Sequence, residues 1–271
     1  MKTFRLVSAA LFAVLMCANF ASCSKDDDAA NTDVGGNDEG GNQEVTASEK
    51  KLVKLACKDD VWDSTYTLSY DSEGRLQTTS YYETDGEYNT FSNNKKFIWG
   101  DNAIKVITKY DNGEEHSYTF TLTNGLVRTC EDSETFSYNS SNRLTRIDFE
   151  DDNYDYRTEA IWDKDKLVSV VDYYNGKTDY DTTFTYGTTC KKGYYPLIPE
   201  PIYWDMLFVA HPEIAGMRTT QLPTTYTERD NYSNDIESAN ISYEFDKEGY
   251  ISKIKYEYEN GNVATYTLTW K

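Results

Sequence analysis

Apolar and polar side chains alternate with a period of two along most of the chain. Tyr118, Phe120 and Leu122 are interleaved with Thr119, Thr121 and Thr123. Ile241, Tyr243 and Phe245 repeat the pattern, as do Tyr266, Leu268 and Trp270. A period of two puts one row of side chains on each face of a strand. Between the runs fall Asp85-Gly86, Asn112-Gly113, Asn124-Gly125, Asn175-Gly176 and Asn260-Gly261. These dipeptides accept the positive φ of tight hairpin turns. The pattern therefore predicts a mainly β domain over 49–271, a single strongly curved antiparallel meander. Its sheet is expected to be open or partly closed into a barrel-like shape.

An internal repeat runs through the same region. Tyr70-Asp71-Ser72-Glu73-Gly74-Arg75-Leu76 matches Tyr138-Asn139-Ser140-Ser141-Asn142-Arg143-Leu144 and Phe245-Asp246-Lys247-Glu248-Gly249-Tyr250-Ile251. Trp162-Asp163-Lys164-Asp165-Lys166-Leu167 is a shortened copy. Each unit is an aromatic, an Asp or Asn that caps a turn through its own backbone, and an apolar residue that starts the return strand. Hairpin mechanics alone accounts for it.

One segment breaks the alternation. The stretch 194–223 holds all five prolines, and Ile202 to Ala210 is apolar nearly all round. Pro201 suits the first turn of a helix, and an apolar helix must be covered. A short helical insert packed in the concavity of the sheet is the expectation, with strands resuming near Thr224.

The first 48 residues have a different character. Lys2 and Arg5 precede a short apolar stretch from Leu6 to Phe20, and Ala21-Ser22 stand before Cys23. That order predicts an export signal over 1–22, too short for a membrane span. Small residues followed by Cys resemble the lipobox of bacterial lipoproteins, with Phe20 where that pattern has Leu; the resemblance implies lipidation of Cys23. Ser24-Lys25-Asp26-Asp27-Asp28 looks like the acidic export tag that sends Bacteroidetes lipoproteins to the outer face of the outer membrane. The rest of 23–48 is Gly, Asn, Asp and Glu with almost no apolar residue, which predicts a disordered tether.

The hairpin units resemble the tyrosine-aspartate repeats of large bacterial surface and toxin-shell proteins. Leu52 to Trp270 as a whole is similar to a family of uncharacterised Bacteroidetes surface lipoproteins described as a porin-like β-meander. The resemblance implies a lipid anchor in the outer membrane and a domain facing the cell exterior, or alternatively the periplasm. It supplies no catalytic residues. A membrane-spanning barrel is the structural rival. The terminal Tyr266-Leu268-Trp270 alternation resembles the last strand of such barrels, but Lys271 departs from their terminal aromatic. A lipid anchor would also be redundant in a spanning barrel.

Composition narrows the function classes. A net charge of −19 argues against nucleic acid and against docking on an anionic membrane surface. The 24 Tyr fit a half-buried pleated surface. Cys57, Cys130 and Cys190 are an odd set, read as buried thiols. His116 beside a turn and His211 before Pro212 are read as solvent-facing and loop residues, outside any zinc spacing. Asp151-Asp152-Asn153-Tyr154-Asp155 begins like a calcium loop but has Tyr156 and Trp162 where Gly and Glu are needed. No metal, cofactor or catalytic residue is assigned.

Exposed aromatics are the better lead, since sugar rings stack on Tyr and Trp faces. Tyr203, Trp204, Tyr194 and Tyr195, in the insert, are the candidate stacking residues. Asp63-Ser64-Thr65 and Asp181-Thr182-Thr183 resemble bacterial O-glycosylation sites, with Ser64 and Thr182 as acceptors. The leading expectation is a non-catalytic surface binding module for glycans. The second is a structural or protein-interaction partner of an outer-membrane complex, and the third a glycan-processing enzyme.

Overall fold

At the Asn-Gly turns the backbone does what the sequence asks of it. Asn124 and Gly125 have φ of 52° and 75°, and Asn175 and Gly176 have 49° and 73°. Two consecutive left-handed residues make the tight turn whose twist matches that of the flanking strands. These turns, and others in which only a Gly such as Gly113 or Gly261 takes the positive φ, separate β1 (Leu52–Lys58), β2 (Asp63–Tyr70), β3 (Leu76–Thr84), β4 (Thr90–Trp99), β5 (Ala103–Tyr110), β6 (Glu115–Thr123), β7 (Leu126–Cys130) and β8 (Glu134–Tyr138). They continue as β9 (Leu144–Asp151), β10 (Tyr154–Asp163), β11 (Lys166–Tyr174), β12 (Lys177–Thr189), β13 (Gln221–Asp230), β14 (Ile236–Phe245), β15 (Ile251–Tyr258) and β16 (Val263–Trp270). This computed structural model describes residues 49–59, 61–86, 90–131, 133–151, 154–196 and 205–271. The segments read as export signal and tether, with Cys23 and residues Ser24 to Asp28, lie outside the described residues.

The sixteen strands form one closed antiparallel barrel, in which every strand pairs with its sequence neighbours and β1 pairs with β16. This corrects the expectation of an open or partly closed sheet. Leu55 stands opposite Leu268 and Cys57 opposite Tyr266. Beyond the strands, Lys51 N–H donates to the Lys271 carbonyl at 2.7 Å and Lys271 N–H to the Lys51 carbonyl at 2.9 Å. An open meander would leave two rows of unpaired backbone groups, and closure removes both edges.

The aromatic of three repeated units, Tyr70, Tyr138 and Trp162, has a task that spacing alone did not disclose; in the unit of Phe245, which is exposed, Tyr243 takes that task. Where an even-numbered strand ends, its aromatic reaches across the lumen wall and donates to a carbonyl at the start of the preceding strand. Tyr70 Oη donates to Leu52 O at 2.6 Å, Trp99 Nε1 to Leu76 O at 2.8 Å and Tyr138 Oη to Val127 O at 2.6 Å. Trp162 Nε1 donates to Leu144 O at 2.6 Å, and Tyr186, Tyr243 and Trp270 donate to Leu167, Pro223 and Ile251, each at 2.7 Å. The ladder shifts register beside several of these aromatics, for instance between Ser137 and Tyr138 and between Ile161 and Trp162. A shift of that kind leaves backbone groups outside the regular pattern, and a buried carbonyl needs a donor. The β5–β6 hairpin has Leu122, with no donor, at the corresponding place. The following Asp or Asn caps the turn as expected. Asp71 Oδ1 accepts from the backbone of Glu73 and Arg75, and Asn139 Oδ1 from Ser141 and Arg143, all between 2.9 and 3.0 Å.

A ring of sixteen strands encloses more space than inward side chains fill by themselves. The connection from β12 to β13 fills one end of it. Its helix α1 (Met206–Ala210) is buried at every position. Phe208 packs against Phe120 and Phe136, with centroids 5.2 and 6.1 Å away. Of the helix expected over Ile202 to Ala210, residues 202–204 lie outside the described residues. The insert is tied to the wall through its backbone: Val127 N–H donates to Ile214 O at 2.9 Å and Leu144 N–H to Gly216 O at 3.3 Å. Strand pairing resumes at Gln221, earlier than expected, and Pro223 is tolerated because the ladder slips register opposite it, around Tyr186. This end is the plugged end; the β1–β2, β3–β4 and β5–β6 turns, among others, lie at the opposite, open end.

The outer wall is polar. Thr65, Thr67 and Ser69 face outward on β2, as do Thr265, Thr267 and Thr269 on β16. Hydroxyls pair across strands, Ser69 with Thr78 at 2.6 Å and Thr227 with Ser238 at 3.1 Å, and Lys253 pairs with Glu244 at 2.8 Å. Exposed large apolar residues such as Ile98, Ile161 and Ile236 are scattered. A spanning barrel needs a continuous outward apolar band between aromatic girdles, and the described residues of this wall do not form one.

Candidate functional site

Toward the open end the inward-facing side chains change from aliphatic to aromatic and acidic. The alternation that buries Leu68 on β2 also turns Tyr66 and Ser64 inward. Tyr66 stacks on Tyr81 of β3 with centroids 4.4 Å apart. Tyr81 meets Phe91 of β4 at 6.0 Å, Phe91 meets Tyr110 of β5 at 5.9 Å, and Tyr110 meets His116 of β6 at 5.6 Å. Five rings from five consecutive strands thus form an arc around one side of the lumen. A shorter arc continues on β9 to β11, where Phe149, Tyr156 and Tyr174 lie 6.2 and 4.8 Å apart in turn.

Carboxylates are set among these rings. Glu83 accepts from the Tyr81 hydroxyl, and burial, with Asp59 adding repulsion, pushes its pKa up. Asp172 accepts from Thr158 at 2.6 Å. Glu228 and Glu237 stand directly opposite each other on β13 and β14, and Glu228 accepts from Tyr226 at 2.9 Å and Thr182 at 3.3 Å. In sequence, the connections at the open end contain no Lys or Arg, while Asp59, Asp85, Asp111, Glu114 and Glu259 occur in them. The plugged-end connections hold Lys50, Arg75, Arg143, Lys164, Lys191 and Arg218.

The floor of this mouth is a polar cluster at the insert. Lys95 Nζ donates to Asp205 Oδ2 at 2.9 Å and to Tyr118 Oη at 3.0 Å, and Tyr118 donates to the same carboxylate. Asp205 Oδ1 caps α1 by accepting from Leu207 N–H at 2.8 Å. Burial foremost, then the Asp205 charge, raises the Tyr118 pKa, so the phenol stays neutral. The Lys95 side chain is 23% exposed, although its neighbours across the ladder, Thr79 and Thr108, are 1% and 3% exposed. An inward Lys between closed neighbours reaches solvent through the lumen. Lys95 lies five residues from Thr90 at the rim, about 16 Å along the strand. The third ammonium N–H of Lys95 has no partner within the cluster.

The sequence-based candidates fall elsewhere. Tyr194 and Tyr195 are 5% and 2% exposed, and their hydroxyls are used internally, on Val209 O and on Tyr256 Oη, each at 2.7 Å. They belong to the plug, which removes them as ligand-stacking residues. Tyr203 and Trp204 lie outside the described residues. Ser64 faces the lumen half-buried beside Glu83, and Thr182 is 3% exposed, so the buried Thr182 hydroxyl is no acceptor for a glycan in the folded chain. His211 is no loop residue on the surface. It is buried between Tyr70 and Trp99, accepts from Leu76 N–H through Nε2 at 3.0 Å, and holds Glu213 through Nδ1 at 3.0 Å. His116 closes the ring arc. Cys57, Cys130 and Cys190 are buried thiols. Burial above all pushes the Cys130 thiol far up, out of the range of a reactive thiolate. Lys95 was legible in principle: it shares a face with Phe97 and Trp99, where a charged residue needs a reason.

The fold is shared with solved structures. A porin-like protein from Bacteroides uniformis ATCC 8492 matches with a TM-score of 0.57 and 17% identity, over 81% of this chain and 96% of that one. A porin-like protein from Bacteroides vulgatus ATCC 8482 matches with a TM-score of 0.56 and 12% identity, over 82% and 99%. No protein family and no curated protein matches the sequence. At these identities the likeness concerns the barrel alone.

Proposed function

We propose that the protein is a lipid-anchored surface binding module that receives a glycan in the open mouth of its barrel. The observation that carries the reading is the five-ring arc Tyr66, Tyr81, Phe91, Tyr110 and His116 leading down to a solvent-reached ammonium at Lys95. Sugar rings lie against aromatic faces, and their hydroxyls bond to carboxylates, phenols and ammonium groups. Asp172, Glu228 and Lys95 are such partners. The reading is non-catalytic: Glu83, Asp172 and Glu228 accept from Tyr and Thr hydroxyls, which suits them to orienting a ligand.

Anchoring through Cys23 at the outer face of the outer membrane fits this arrangement. Lys50, where the barrel unit begins, lies at the plugged end, where its N–H donates to Tyr250 Oη at 3.2 Å. The polar outer wall supports a barrel that stands in water. The barrel shape, the lipobox-like start and the aromatic-Asp hairpins also support membership of the Bacteroidetes surface lipoproteins with porin-like meanders.

A glycan array probed with the full chain tests the reading. Saturable binding that Tyr110→Ala weakens roughly tenfold, with the melting temperature kept, is the expected result. Binding that survives both Tyr66→Ala and Tyr110→Ala would remove the mouth as the site. A second reading, docking of a protein on the rim, draws on the exposed Tyr232 in the β13–β14 turn and Ile236 at the start of β14. A blank array together with capture of an outer-membrane protein that Tyr232→Ser abolishes would favour it.

A further inference from the structure

The open half of the lumen is sorted by charge as well as by ring. Glu228 on β13 and Glu237 on β14 stand directly opposite each other, on the inward face that carries the Tyr226 and Ala239 pair one step further in. Like charges on directly opposed positions cost stability, so this pair does not serve the fold. Its field reaches neighbouring strands. Burial first, then Glu237, with Asp59 and Glu228 among the further causes, pushes the Tyr258 pKa far up. Burial and then Glu228 do the same to Tyr226. On the other flank Asp59 adds its repulsion to the burial that raises Glu83. The β1–β2 connection thus links the carboxylate of β3 with those of β13 and β14 in one negative field.

The Lys side chains that face this field do little to cancel it. Lys95 is matched by Asp205 at 2.9 Å, and Lys177 is exposed at the rim, opposite Tyr174. The connections around the mouth carry no Lys or Arg in sequence, whereas those at the plugged end mix both signs. Charge kept for solubility has no reason to be segregated to one end. A cleft lined by one sign focuses its field and draws in ligands of the other.

The rings point the same way on separate grounds. The face of a Tyr or Phe attracts an ammonium group as well as the apolar face of a sugar, most strongly where solvent is partly excluded. The chain uses this contact for its own cations: Lys95 lies 5.5 Å from the Tyr118 centroid, and Arg157 lies 4.0 Å from that of Tyr173. The arc from Tyr66 to His116 begins beside Glu83, which accepts from the Tyr81 hydroxyl. A sugar bearing carboxylate or sulfate would be repelled here, and an acetamido group offers the field no charge.

We propose that the mouth takes a ligand carrying protonated amines, namely a saccharide with free amino groups in place of acetamido or acidic ones. This rests on the mouth being a sugar site, as proposed above, and adds the charge that the sugar carries.

The full chain is titrated by calorimetry with a glucosamine tetrasaccharide and with its fully N-acetylated counterpart. Mildly acidic buffer keeps the amines protonated and ordinary carboxylates ionised. The amino form is expected to bind at least tenfold more tightly, and its affinity alone should fall as salt is raised. Glu228→Gln combined with Glu237→Gln should reduce the preference severalfold while keeping the melting temperature, since it relieves a repulsion. Equal or tighter binding of the acetylated form, or a preference unchanged in the double variant, overturns the proposal and leaves the sugar site standing. Binding of neither tetrasaccharide also overturns it. The glycan array then separates the two readings: hits confined to neutral or acidic glycans keep the sugar site, and a blank array removes it.

Discussion

The two halves of the barrel lumen are built on the same strands and on the same inward faces, yet they differ in what those faces carry. In the plugged half, Leu52, Leu76, Leu144, Leu167 and Ile251 are fully buried in the cluster that includes Leu207 and Phe208 of the insert, and aromatics use their single donor on a wall carbonyl. In the open half the same alternation turns Tyr, Phe, His and carboxylates inward, ring against ring, with solvent reaching Lys95. Buried aliphatic surface stabilises without direction, whereas rings and charges at a wet surface add little to stability and can be read by a ligand. The comparison teaches that one half holds the barrel together and the other is left available.

Substitutions can break that division, beginning with the largest effect. Gly216 has a φ of +64°, and a Cβ there would come within 2.3 Å of Asn142 O and 2.9 Å of Leu144 N. Both are backbone atoms and neither yields cheaply. Gly216→Ala is expected to cost about 3–5 kcal/mol and lower the melting temperature by roughly 10 °C, measured by scanning calorimetry. A fall of a degree or two would mean that the insert is not fastened there.

Lys95 stands at the border between the halves. Lys95→Met leaves the buried Asp205 carboxylate with its Tyr118 and Leu207 N–H donors but no counter-charge from Lys95, and is expected to cost about 2–4 kcal/mol in denaturant unfolding. A neutral result would place Asp205 in contact with solvent. Trp162→Phe removes one donor while keeping most of the ring, and about 1–2 kcal/mol should be lost. The β5–β6 hairpin, with Leu122 in place of the aromatic, is expected to show the least amide-exchange protection at the plugged end.

The smallest effect concerns acid. Hydrogen bonding by the Arg75 backbone N–H, ahead of the desolvation that opposes it, holds the Asp71 pKa below the ordinary 3.8. A carboxylate with a lowered folded pKa stabilises the chain fully above its unfolded value, and this contribution is lost as the pH falls through the folded value. Asp71→Asn keeps the cap, as Asn139 does naturally, so stability at pH 7 should be retained while the decline below pH 4 becomes shallower. An unchanged acid profile would show that this cap does not titrate with folding.

Much of the architecture could be read from local signals. Asn-Gly turns, alternation and five prolines in one segment placed the hairpins and the insert, because these depend on residues a few positions apart. Closure could not be read that way. Pairing Leu55 with Leu268 is a decision across the whole domain, and nothing in either strand's own pattern announces its partner. The mouth escaped for a related reason. With 24 Tyr on a pleated sheet, periodicity says which face a ring takes but not which end of the barrel it occupies. The insert drew attention to Tyr194 and Tyr195 as ligand-facing, where the same apolar character marks them as plug. Lys95 between inward Asn93 and Phe97 was the one visible irregularity that pointed to the site.

The seam between β1 and β16 also governs how the chain reaches its final state. Its partners are separated by nearly the full length of the domain, so the entropy of bringing them together must be met before their hydrogen bonds form. Hairpins assemble locally and early, but the ring cannot shut until β16 is in place. Until then the molecule exists as an unsealed ribbon with two sticky edges. It is in that interval, rather than once complete, that a holding chaperone would have something to grip.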